Sequence, residues 1–231
     1  MEIPADLNLR QDVPLGDFTT WKVGGAADFF AEPESSEQLQ ALVHWGRREE
    51  LPLHFIGAGS NLLISDEGLP GMVLCSRRLQ GSQLEASTGI IEAQAGEPLP
   101  TLARRAAKAG LSGLEWSVGI PGTVGGAVVM NAGAQGGCIA ESLIDATVLD
   151  PSNGQTRRLS CSELDYDYRH SSLQSEPLVV LSARFKLQAG GDPSELSART
   201  SSNLHKRTST CLLYTSPSPR DRTRSRMPSS A

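Results

Sequence analysis

A chain of 231 residues is long enough to bury a sizeable core, and a net charge of -5 with 5% aromatic residues excludes a nucleic-acid footprint spread over its surface. Its four cysteines form no CxxC pair and do not cluster with the four histidines, which argues against a disulfide scaffold or a zinc site and for reduced thiols. The polar start "MEIPADLNLRQDVPLGDF" has no basic segment leading into an apolar run and no stretch reaches membrane-spanning length, so a soluble, cytoplasmic protein is expected.

In chain order, "ESSEQLQALVHWGRREE" predicts a surface helix. Ser35 and Gln38 have the spacing of a capping box, and Leu39, Leu42 and Val43 fall on one face. "LPLHFI" is a short strand that runs into "GAGSNLLIS", and "GMVLCS" follows as another. "SQLEAS" and "IIEAQAG" pair around Thr88 and Gly89. "PLPTLARRAAKAG" predicts a helix with Leu99, Leu102, Ala103 and Ala106 inward and Gly110 as its stop. "DATVLDPSNGQTRRLS" reads as a hairpin turning at Ser152, Asn153 and Gly154, and "PLVVLSARFKLQ" as an alternating strand. "GGDPSELSARTSSNLHKRTST" begins a further helix capped by Asp192 or Ser194. Interleaved strands and helices give an α+β or α/β class.

The end "CLLYTSPSPRDRTRSRMPSSA" differs in kind. It has four arginines against one aspartate from Leu212 onward and scarcely an apolar residue after Tyr214, a composition that cannot bury a core. One reading is a basic arm for a nucleic acid. The expectation adopted is a foreign segment, since these residues resemble the translation of a sequencing adapter at the broken end of a gene fragment.

Two segments combine glycine with small residues: "GAGSN" from Gly57 to Asn61, and "GIPGTVGGAVVMNAGAQGG" from Gly119 to Gly137, with seven glycines. Glycine reaches positive φ at little steric cost and lets a ligand approach the main chain, so clustered N–H groups can hold a pyrophosphate. A single such motif is more often a tight turn; two in one chain point to a nucleotide. Neither has the lysine of a P-loop, and "GAGSNL" supplies only the first two glycines of a dinucleotide fingerprint.

"TTWKVGGAADFFAEP", "FIGAGSNLLISDEGLPGMVL", "GLEWSVGIPGTVGGAVVMNAGAQGG" and "DYRHSSLQ" resemble, in order and spacing, the UDP-N-acetylenolpyruvoylglucosamine reductase family over roughly Phe18 to Thr210. The resemblance implies an α+β fold whose two lobes, about residues 18–80 and 81–190, form an FAD-binding domain of the PCMH (vanillyl-alcohol-oxidase-like) type. Residues 1–17 would precede it, residues 191–210 would begin a third, substrate-binding lobe, and residues 211–231 would be non-native and disordered.

The resemblance also implies site residues. Gly57, Ala58, Gly59, Ser60 and Asn61 would line the FAD pyrophosphate. Ile120, Pro121, Gly122, Thr123, Gly125, Gly126, Asn131, Ala132 and Gly133 would run along the flavin and its phosphates, with Asn131 orienting backbone or ligand. Arg169 matches the family's active-site arginine, which stabilises negative charge on the carboxylate side of the enolpyruvyl double bond. Tyr168 reads as structural, His170 as solvated and His54 as near-core. No histidine motif for covalent attachment is present, so non-covalent FAD is expected, with NADPH as hydride source and UDP-N-acetylglucosamine enolpyruvate as substrate, and with no metal, membrane or nucleic-acid partner. The run from "YRHSSLQ" into "SEPLVVLSARFKL" resembles the family's short-loop subtype. The family's proton-donating serine, in a "GSxFxNP" context, and its late glutamate are not found, so the chain by itself is expected to be inactive and at best a weak FAD binder. The alternatives are another FAD oxidoreductase of this fold or a non-catalytic nucleotide-binding module.

Overall fold

The computed structural model describes Pro4 and residues 7–210. Two sheets share one core. The first has the strand order β1 (Arg10–Pro14), β2 (Ala26–Ala31), β4 (Leu69–Cys75), β3 (Leu53–Ile56); β1 and β2 are antiparallel, whereas β2 and β3 both run parallel to β4. The second is antiparallel throughout, in the order β10 (Thr156–Ser160), β9 (Leu143–Leu149), β11 (Val179–Lys186), β6 (Ile90–Gln94), β5 (Ser82–Glu85). A two-residue hairpin, β7 (Gly133–Ala134) with β8 (Gly137–Cys138), stands apart from both.

Strand β4 explains why the first sheet is central. It is buried on both faces, as parallel strands are. Met72 and Leu74 face the large core, and Val73 and Cys75 face a smaller one containing Leu15, Phe30 and Ile64. Helix α1 (Ser36–Arg48) covers the large-core face with Leu39, Leu42, Val43 and Trp45. Its cap differs slightly from expectation. Ser35 Oγ accepts from Gln38 N at 3.2 Å, but Gln38 Oε1 reaches Glu34 N, at 2.8 Å, rather than Ser35 N.

Helix α2 (Leu99–Lys108) buries Leu99, Leu102, Ala103 and Ala106 in the large core, and Gly110 follows at φ +74°. These side chains join those of α1 in one cluster, so the two lobes meet without a solvent layer. The β9–β10 hairpin closes as expected, with Gly154 N donating to Asp150 O at 2.8 Å. Strand β11 does not alternate in burial as predicted. Val180, Leu181, Ser182 and Ala183 are all buried because it is the central strand, covered on both faces, with a register shift between Val180 and Ser182. Helix α4 (Pro193–Thr210) is capped by Asp192, whose Oδ1 accepts from Ser194 N at 2.7 Å, and packs on α2 and the 3-10 turn Glu115–Gly119, with Leu196 and Thr200 buried.

Strands β1 and β2 are not among the elements expected from sequence. Val13 and Leu15 enter the smaller core, so the first sheet reaches back into the segment assigned to residues 1–17. The expectation for residues 211–231 lies outside the described residues.

Candidate functional site

Between the lobes lies a cleft of about 620 Å³, within the few-hundred to thousand Å³ usual for small-molecule sites. One wall is the loop leaving β3, with Gly57, Ala58, Gly59, Ser60 and Asn61 all at the cleft. Protein packing dictates the shape of this loop. Gly59 adopts φ +66°, and a Cβ there would stand 1.9 Å from Phe18 O; its carbonyl accepts from Thr20 N at 3.1 Å. From behind, Arg77 Nη2 donates to Ala58 O at 3.0 Å while its guanidinium lies 5.6 Å from the Phe18 ring.

The opposite wall is the second glycine segment, and Ile120, Pro121, Gly122, Thr123, Gly125, Gly126, Ala132 and Gly133 line the cleft. Within it lies a short helix that the sequence reading did not anticipate, α3 (Val124–Val129), whose N-cap Thr123 Oγ1 accepts from Gly126 N at 3.4 Å. Threonine ahead of "VGGAVV" was the available signal. Gly125 N donates to Ala95 O at 2.8 Å, and a Cβ at Gly125 would press to 2.9 Å from Ala95 Cβ, so this glycine serves helix-to-strand packing. Gly122 and Gly126 differ. A Cβ at either would meet nothing nearer than Ser60 Oγ at 3.7 Å or Thr123 Oγ1 at 3.6 Å, and both line the cleft; Gly122 also adopts φ +138°, which a side chain would strain, whereas Gly126 does not.

Asn131 does not line the cleft. It is 7% exposed at φ +39°, with Nδ2 donating to Asp167 O at 2.9 Å and Oδ1 accepting from Ala140 N at 3.1 Å. Of the two roles considered for it, the geometry gives backbone orientation. Both polar ends of its amide are occupied by main chain.

Arg169 stands at the rim on an exposed loop, at φ +56°. Its Nη1 donates to Asn131 O at 3.4 Å and its Nη2 donates to Gly133 O, so the guanidinium is fastened to the end of the glycine wall. The Tyr168 ring, 83% exposed, lies 5.1 Å beneath it. His170 is exposed, and His54 is half-buried with Nε2 2.9 Å from Pro70 O. Tyr166 OH donates to Val128 O at 2.9 Å and burial pushes its pKa far up, so the phenol is held neutral.

The charged side chains at the cleft are Arg169 and Arg207, and none of its lining residues is a carboxylate. Sequence reasoning missed Arg207, which α4 lays across the glycine wall; a Cβ at Gly119 would stand 2.5 Å from Arg207 Cδ. No periodicity or motif marks it, because it reaches the cleft only through the packing of α4. Among the described residues there is no cluster of three potential metal ligands, Cys75, Cys138 and Cys161 are free thiols, and no helix is long and apolar enough to cross a membrane.

The family described as "FAD binding domain" matches residues 27–160. The UDP-N-acetylenolpyruvoylglucosamine reductase of Synechococcus sp. (strain RCC307) is 89% identical over 91% of this chain and 69% of its own length. Among solved structures, the UDP-N-acetylenolpyruvylglucosamine reductase of Thermus caldophilus is 36% identical with a TM-score of 0.70, covering 87% of this chain and 70% of the other. The 6-hydroxy-D-nicotine oxidase of Arthrobacter nicotinovorans, 16% identical with a TM-score of 0.62, covers 81% of this chain and 44% of its own and shares the fold alone. The chain thus spans about two thirds of the reductases it matches. The α+β, two-lobe fold is that of the FAD-binding PCMH type.

Proposed function

Because this chain belongs to the UDP-N-acetylenolpyruvoylglucosamine reductase family, we propose that its cleft binds FAD non-covalently and serves the NADPH-dependent reduction of UDP-N-acetylglucosamine enolpyruvate to UDP-N-acetylmuramate, a step of peptidoglycan synthesis. The observation that carries the reading is the cleft itself. Two glycine-bearing walls face each other, two of their glycines leave open space where a side chain would stand, and the charged groups at the cleft are cations.

The residues fit the cofactor. Gly57 to Asn61 offer a tight loop for a pyrophosphate, and Gly122 and Gly126 leave main chain exposed on the facing wall, where a flat ring or a phosphate could lie against it. Arginines suit the anionic part because they remain charged at every physiological pH and hydrogen-bond phosphate and carboxylate in fixed geometry. Bound there, FAD would carry a hydride from NADPH to the enolpyruvyl double bond.

Arg169 has the remaining role. As that double bond is reduced, negative charge builds towards the substrate carboxylate, and a cation already fixed in place stabilises the transition state more than the ground state. The guanidinium is fixed in advance by the carbonyls of Asn131 and Gly133. The 231 residues contain no "GSxFxNP" stretch to supply the proton. We therefore assign them FAD binding and charge stabilisation, and assign the completed reaction to a longer protein.

The test joins residues 1–210 to the last third of the RCC307 reductase. The chain by itself is expected to bind FAD weakly, read by flavin fluorescence, without oxidising NADPH in a substrate-dependent way, and the joined protein to retain FAD through gel filtration and to turn over. Arg169→Ala in the joined protein should keep its flavin and lose about 100-fold in kcat. A joined protein that binds no FAD, or an Arg169→Ala protein of full activity, overturns the reading.

A further inference from the structure

Helix α3 ends at Val129, and the carbonyls of its last turn have no partners within the helix, as at any helix C-terminus. Here they are met by one loop. Tyr166 OH donates to Val128 O at 2.9 Å, Ser171 Oγ to Val129 O at 2.6 Å, and the Asn131 amide spans back to Asp167 O at 2.9 Å. Ser171 is fully buried in this arrangement. Arg169 itself closes on the carbonyls of Asn131 and Gly133.

One member of this set touches both sides. Gln174 Nε2 donates to Val129 O at 3.2 Å and to Arg169 O at 2.9 Å, and lies 3.7 Å from Met130 Sδ. It therefore ties the main chain of Arg169 to the end of the glycine wall. Arg169 needs such a tie. A non-glycine residue at φ +56° is strained and persists only where its surroundings enforce it. The adjoining bridge between Asp167 and His170 is a bare turn, with N–O distances of 3.1 and 3.2 Å. Those two bonds only close the turn; Asn131 Nδ2 fastens its Asp167 carbonyl to the wall, and Gln174 Nε2 fastens the carbonyl of Arg169 itself.

We infer that Gln174 is a positioning residue, the donor that holds Arg169 in its left-handed conformation so that the guanidinium stands at the cleft. This rests on the charge-stabilising role proposed for Arg169. The chemistry required at 174 is donation to two carbonyl oxygens, so an acceptor of equal size should fail and a different donor of similar reach should serve. Glutamate in Gln174→Glu places carboxylate oxygens against two carbonyls, whereas the ammonium in Gln174→Lys carries three donors.

Two measurements decide it. In the FAD-loaded 231-residue chain, amide hydrogen exchange across residues 166–174 should rise about tenfold in Gln174→Glu and return to the wild-type rate in Gln174→Lys, with α2 unchanged as the internal reference. In the joined protein, Gln174→Glu should lower kcat about tenfold with KM for NADPH unchanged, Gln174→Lys should restore it, and Gln174→Glu should cost nothing further when Arg169 is already alanine. Unchanged exchange in Gln174→Glu, or a kcat loss that persists in the Arg169→Ala background, overturns the inference and leaves Arg169 in its role. Full activity of Arg169→Ala removes the role of Arg169, and the inference falls with it.

Discussion

The two glycine-bearing walls use the same residue for opposite reasons. In the first wall, the backbone atom facing the missing side chain belongs to the protein: a Cβ on Gly59 would stand 1.9 Å from Phe18 O. In the second, the space beside Gly126 belongs to the cleft, while Gly122, equally open, combines both reasons because a side chain would be strained at its φ of +138°. One kind of glycine is required for the chain to fold, and the other for something to bind. Substitutions should separate the two, because the first kind should lose stability and the second affinity.

The largest effect is expected at Gly59. Gly59→Ala meets the Phe18 carbonyl in a segment pinned to Gly59 by Thr20 N and cannot relax at φ +66°, so a loss of about 4 kcal/mol in urea denaturation is expected. A loss under about 1 kcal/mol would mean that the first wall is shaped by its ligand after all.

Cys75 tests the same wall from beneath. Its thiol lies 3.5 Å from Gly57 O, and burial pushes its pKa up to about 11 from 9.0. A raised folded-state pKa means that the stability from the protonated thiol is complete below pH 9 and is lost as pH rises through about 11. That loss is worth roughly 2–3 kcal/mol at its limit. The fall in urea midpoint between pH 8 and pH 10.5 should be steeper in wild type than in Cys75→Ala, and equal slopes would deny the thiol this environment.

Asn131 sits at the far end of the second wall and belongs with the first kind of position. Asn131→Ala abandons Asp167 O and Ala140 N and places alanine at φ +39°, with an expected cost of about 2 kcal/mol. FAD affinity, measured by flavin fluorescence at a temperature where both proteins are folded, should change by less than about twofold, since an increment that small is well under 1 kcal/mol. A large affinity loss would restore Asn131 to the ligand.

How much of this was legible beforehand follows from the range of the interactions involved. Helices α1 and α2 announced themselves through Leu39, Leu42 and Val43 and through Leu99, Leu102 and Ala106, because helical periodicity is local. Strands β1 and β2 did not, since "RQDVP" has one buried residue and "AADFFA" breaks its alternation at a register shift. The two glycine segments were visible as composition, and the four-segment resemblance gave them a cofactor and Arg169 a role. Composition could not divide the glycines, because what stands beside Gly59 or Gly126 is supplied by residues elsewhere in the chain. Arg207 and the Gln174 tie were invisible for the same reason. Both depend on long-range placement, one through the packing of α4 and the other through a loop folded back 45 residues onto Val129.

Gly126→Ala is the smallest expected change in stability and the sharpest comparison between the two walls. Gly126 lies inside α3, where alanine is favoured over glycine by roughly 0.5–1 kcal/mol. Nothing in the protein stands within 3.6 Å of the new methyl group, so that gain should appear undiminished as a slightly higher urea midpoint. The same methyl group would occupy cleft space facing the ligand, and FAD affinity should fall about tenfold or more, equivalent to 1.4 kcal/mol. Opposite signs from one methyl group would identify Gly126 as a residue kept for binding at the expense of its helix. A more stable protein with unchanged FAD affinity would instead mean that the cofactor lies against Gly122 and the first wall and leaves α3 untouched, moving the ligand within the cleft without removing it.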